Sequence, residues 1–133
     1  MLRQLTKKTR AGFTLVEIMI VVAIIALLAA IAVPGFLRAR KRSQASKILN
    51  DLRLISSAMD QYAIETNKKS DDPIGIDDWT RYIKKATVLY DTGADLFGKP
   101  YGPQTVDSLP HVDSTTYDAL SDVAPDPFWS PYH

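Results

Sequence analysis

A chain of 133 residues has room for one ordinary domain, and its lack of cysteine excludes disulfides, thiolate catalysis and Cys-ligated zinc. The formal net charge of +1 conceals a split: through Arg53 ten Lys or Arg face two acids, and from Leu54 onward six face thirteen. Such asymmetry points to a membrane or a nucleic acid at the basic end, and the adjacent hydrophobic run selects the membrane. His111 and His133 lie far apart, and no GxGxxG, Walker-type loop, HExxH or GxSxG occurs, so nothing in the spacing suggests an enzyme.

Residues 1–12, "MLRQLTKKTRAG", hold Arg3, Lys7, Lys8 and Arg10 and no acid, the pattern of a basic leader. From 13 to 37 the run "FTLVEIMIVVAIIALLAAIAVPGFL" is apolar apart from Thr14 and Glu17. As a helix it extends about 37 Å, enough to cross a bilayer core of about 30 Å. A helix is the conformation a single span requires, because its backbone groups have only one another to bond. Pro34 removes a donor and crowds the carbonyl of Ala30, and Gly35 loosens the same turn; in an apolar segment this predicts a kink with continuation. Arg38, Arg40, Lys41 and Arg42 then mark the far membrane interface.

Residues 38–67 are expected to continue the helix. Ile48, Leu52, Ile55, Met59 and Tyr62 recur at steps of four, three, four and three, with Asn50, Asp51, Arg53 and Ser57 between them. That is an amphipathic helix with one apolar stripe, the face for a small domain to pack against. "NKKSDDPIGIDD" breaks it near Thr66. Within residues 68–133, Asp77 or Asp78 is placed to cap a short helix, "DWTRYIKKA", with Trp79, Tyr82 and Ile83 on one face. Residues 87–90 and 105–112 read as short strands. The tail "APDPFWSPYH" is too proline-rich for a helix and too aromatic for water, so it reads as an extended cover. The fold class is α+β: a long N-terminal helix, hydrophobic then amphipathic, packed on a small domain.

Glu17 is the one acid of the apolar run, and it admits two readings. Thr14-x-x-Glu17 fits a capping box, in which the acid serves a free N–H at the helix start. Alternatively, a cut between Gly12 and Phe13 creates an α-amino group one turn away, and Glu17 of one copy meets the amine of a neighbour. An acid unsatisfied within its own chain would then fix the register of assembly, since breaking a buried charge pair costs about 3–5 kcal/mol.

The segment "KKTRAGFTLVEIMIVVAIIALLAAIAVPGF" closely resembles the leader and N-terminal helix of type IV pilins and type II secretion pseudopilins, over about a quarter of the chain. The resemblance implies that a prepilin peptidase cuts after Gly12 and methylates the amine of Phe13. It further implies that Glu17 supports assembly and that the helix kinks at Pro34 and Gly35. The basic residues on both flanks leave topology open, and the resemblance supplies it: leader inside, residues 68–133 outside. The implied partners are copies of the same chain, minor pilins or pseudopilins, the peptidase, and an inner-membrane platform with its ATPase. The implied location is the inner membrane, then a periplasmic or extracellular filament. "DLFGKPYG", residues 95–102, looks like a turn of the major pseudopilins, which bind calcium nearby; Asp91, Asp95, Asp107 and Asp113 are the candidate oxygen ligands here. Two other readings are a secreted protein with an ordinary signal peptide cut after Ala32 and a permanently anchored single-span protein with an outer binding domain.

Overall fold

The computed structural model describes residues 12–102 and 104–133, so the expected leader lies outside the described residues except for Gly12. The chain divides into two compact units at Leu37 and Arg38. One helix, α1, runs Leu15–Thr66, and Pro34 lies inside it. In the first unit every described residue is exposed, although nearly all are apolar. By length and composition α1 can cross a membrane.

The second unit is built on the apolar stripe. Ile48, Leu52 and Ile55 are fully buried, Met59 nearly so, and Tyr62 is partly covered, as the period of the sequence predicts. Ala45 and Ala58 extend the same face, their small side chains letting neighbours approach the helix backbone. Around this stripe lie Trp79, Ile83, Leu89, Leu120 and Trp129, forming one core.

The small elements follow their caps more than their residue propensities. Strand β1, Pro73–Ile74, pairs antiparallel with β2, Gln104–Thr105, Pro73 opposite Thr105. Helix α2, Ile76–Thr80, begins after Gly75. Asp78 does not precede this helix as an N-cap; it sits one turn inside and accepts from the Gly75 N–H at 2.9 Å. Residues 87–90 are not a strand: Thr87 caps α3, Val88–Thr92, and its hydroxyl oxygen accepts from the Tyr90 N–H at 3.2 Å.

The expected strand 105–112 is cut at its first residue. The Thr105 amide donates to the Ser108 hydroxyl at 3.0 Å, and Asp107 turns the chain at φ 68. Asp113 then caps α4, Ser114–Leu120, an element the sequence reading missed. The tail is not wholly extended either. It forms one turn, α5, Asp126–Trp129, where Pro127 sits early enough for its missing N–H to cost nothing. Its covering role does hold: Trp129 is fully buried, with its indole N–H donating to the Ala124 carbonyl at 2.9 Å, and the Tyr132 carbonyl accepts from the Val112 N–H at 3.1 Å.

Gly93 closes α3 at φ 59, its N–H bonded to the Leu89 carbonyl at 2.9 Å. A Cβ there would stand 2.4 Å from Ile76 Cγ2, whereas one on Gly98, at φ 76, would meet open space. Gly93→Ala is therefore expected to lower the unfolding midpoint well beyond Gly98→Ala, which carries only the backbone cost of about 1 kcal/mol. Denaturant titration of detergent-solubilised protein followed by tryptophan fluorescence reads both; equal losses would remove the contact with Ile76 from the account.

Candidate functional site

The carboxylate at the head of α1 is half engaged. The Glu17 amide donates to the Thr14 hydroxyl at 3.2 Å, and the Thr14 amide donates to Glu17 Oε2 at 2.9 Å. These are the two reciprocal bonds of a capping box, formed because residues i and i+3 face each other at a helix start. The expectation that Glu17 is unsatisfied in its own chain is corrected to that extent. Among the described residues Oε1 has no hydrogen-bond partner and the carboxylate has no basic partner. The box thus orients the side chain, and among the described residues no ion pair cancels its charge. Phe13 is 87 % exposed, and among the described residues a Cβ on Gly12 would meet nothing within 4 Å.

The four aspartates named as calcium candidates are not gathered into one site; among the described residues no group of three or more His, Asp or Glu is positioned to hold a metal ion. Asp95 is buried and organises a turn instead. Its Oδ1 accepts from the Phe97 and Lys99 amides at 2.8 and 2.9 Å, and its Oδ2 accepts from the Thr116 hydroxyl at 2.5 Å. Asp113 accepts from the amide and hydroxyl of Thr115, and that hydroxyl holds its pKa below the ordinary carboxylate value. Asp107 accepts from the Ser70 hydroxyl, and Asp91 lies exposed in α3. Three of the four are occupied in holding local backbone or side chains.

A second acid was missed from sequence. Asp51, placed there among the polar positions, is only 7 % exposed. It follows Ile48 by three residues and precedes Ile55 by four, so it belongs to the edge of the buried stripe, a signal present in the spacing. Burial pushes its pKa up, opposed by Lys47 and by a long 3.5 Å hydrogen bond from the Tyr101 hydroxyl. Burial likewise raises the Tyr101 phenol, with Asp51 and Asp95 adding to the effect. Asp51 also lines an open cavity of about 530 Å³ beside Leu54, Tyr82 and Val88.

Of the basic residues past the apolar run, Lys41 reaches Asp122 at 3.1 Å, both partly solvated, so the pair contributes little to stability. Arg38, Arg40 and Arg42 are exposed.

Comparison with known proteins adds the following. Residues 7–33 match the prokaryotic N-terminal methylation motif. Over 60 residues the chain is 45% identical to the type IV major pilin protein PilA of Myxococcus xanthus, covering 45% of this chain and 27% of that protein. Over 71 residues it is 30% identical to the type II secretion system core protein G of Aeromonas hydrophila, covering 53% and 50%. Over 75 residues it is 39% identical to the type IV major fimbrial protein FimA of Dichelobacter nodosus, covering 56% and 45%. The aligned part thus spans half or less of each of these proteins. No solved structure matches.

The raised pKa of Asp51 has a definite sign. An acid that holds its proton more tightly when folded binds more protons in the native state, so stability falls as pH rises from the ordinary carboxylate value of 3.8 through the raised native value. Asp51→Asn removes this ionisation. The variant is expected to melt at or above the parent temperature at neutral pH, with the difference narrowing toward pH 4. Thermal melts across that range check it; a gap that widens on acidification would reverse the assignment.

Proposed function

We propose that the chain is a structural subunit of a pilus-like or pseudopilus filament, a reading supported by the similarity of its N-terminal region to type IV pilins and a type II secretion core protein. The observation that carries this reading is the methylation motif at residues 7–33, in which "GFTLVE" opens an exposed helix able to span a membrane. The chain is held in the inner membrane by the first part of α1 until assembly. A prepilin peptidase cuts between Gly12 and Phe13 and methylates the new amine. A platform and its ATPase then move the chain into a filament with copies of itself and minor subunits. No reaction is assigned to the chain.

The geometry of Glu17 supports a division of labour between its two oxygens. Oε2 is used within the chain, where the Thr14 amide fixes the side-chain rotamer. Oε1 is left to receive the methylated amine of Phe13 from a neighbour. Before the cut, the nitrogen of Phe13 is a neutral peptide amide and offers no charge. After it, a cation stands beside an apolar helix whose surroundings are lipid or other helices, where unpaired charges are costly. Assembly thereby becomes conditional on cleavage.

Glu17→Gln separates the capping role from the pairing role, since glutamine can complete the box but carries no charge. Both Glu17→Gln and Glu17→Ala should be cut normally, and both should give greatly reduced filament yield by electron microscopy and shearing. Full assembly of Glu17→Gln beside a defective Glu17→Ala would leave capping as the residue's task. Intact mass of the mature chain tests the processing itself. N-methylated Phe13 is expected, whereas a chain starting at Val33 or Met1 would mean an ordinary signal peptide or a permanent anchor.

A further inference from the structure

The second unit carries two opposed charge blocks that, among the described residues, cancel only once. Residues 38–53 hold six Lys or Arg and one acid, Asp51, which is buried. Residues 100–133 hold five aspartates and no Lys or Arg. Among the described residues Lys41–Asp122 is the single ion pair between a Lys or Arg and an acid. Lys41 is spent there because it lies four residues before Ala45, on the side of α1 that packs. Arg38 and Arg42, four residues apart, share a neighbouring flank and are exposed. On the acidic side Asp113 caps α4, and Asp126 accepts from the Tyr117 hydroxyl and lies 3.5 Å from His133 Nδ1. Asp118 is exposed and, among the described residues, has no side-chain hydrogen bond or ion pair.

We propose that the Arg38 and Arg42 flank of α1 in one copy docks on the acidic face carrying Asp118, at the end of α4, in a second copy. Complementarity of charge selects this occupant: the positive block of each chain finds its counterpart on an identical chain, and the counterpart is open. Like patches repel, so the contact brings the arginine flank of one copy to the acidic face of the other. Because the two patches differ, the contact is heterologous, and a heterologous contact whose rotation does not close continues indefinitely. The inference rests on the filament reading above and adds a second contact between copies, in solvent, distinct from Glu17.

The absence of cysteine makes the test free of background. Ser46→Cys and Ala119→Cys, both exposed and beside the two patches, leave every charge in place. The two variants are co-expressed in the full chain and treated with a short bis-maleimide in membranes and in sheared fractions. A mixed dimer is expected at several times the yield of either like dimer. Its yield should drop several-fold near 1 M salt, where the Debye length falls to about 3 Å. Arg42→Glu should abolish it and Asp118→Arg in the partner should restore it. Filaments without a mixed dimer would overturn this contact and leave the filament reading standing; a mixed dimer without filaments would do the reverse. If Arg38→Glu with Arg42→Glu loses only its binding to phosphatidylglycerol vesicles and the mixed dimer is unchanged, the arginines serve lipid headgroups and the proposal is wrong.

Discussion

A helix that is apolar on every side must be covered by something other than its own chain. Residues 13–37, apolar apart from Thr14 and Glu17, are close to that condition, and every one of them is exposed. Water is the worst available surrounding for such a surface, at roughly 25 cal/mol for each Å². Lipid is one cover and sister helices are another, and the two are nearly equivalent for apolar side chains. Hydrophobicity alone therefore keeps the segment out of water without deciding which cover it takes.

That near-equivalence gives the single carboxylate its leverage. When the apolar terms balance, a charged group can tip the exchange in a way leucine cannot. Glu17 is held by Thr14 through one oxygen, which fixes its direction at small energetic cost and leaves its charge in place. The two readings of this acid are consequently compatible: the intrachain bonds orient the group that an intermolecular partner would meet.

How much of this was legible depended on the length over which a signal repeats. The apolar run and the stripe from Ile48 to Tyr62 each recur over several turns, so period alone located both and also the end of α1 near Thr66. The elements of the small domain have two to seven residues. At that scale one side-chain oxygen outweighs propensity: Thr87 turned a β-favouring segment into a helix, and Ser108 with Asp107 ended a strand after one residue. Asp51 was misread because its type suggested solvent while its spacing put it at the core edge. The acids grouped as calcium ligands were linked by a resemblance over residues 95–102 and by chemical type, and the fold places Asp91 inside α3, Asp95 and Asp107 in turns and Asp113 at the cap of α4.

The turn around Asp95 shows how a short chain without cysteine ties its loops together. One buried carboxylate gathers two amides of its own loop and the hydroxyl of Thr116 from α4, while the backbone of Val112 fastens the segment before α4 to Tyr132. Such a lacing contains no bond that an oxidant must make or a reductant can break. The shape of the small domain thus needs no disulfide-forming oxidase or disulfide isomerase and does not depend on the redox poise around it.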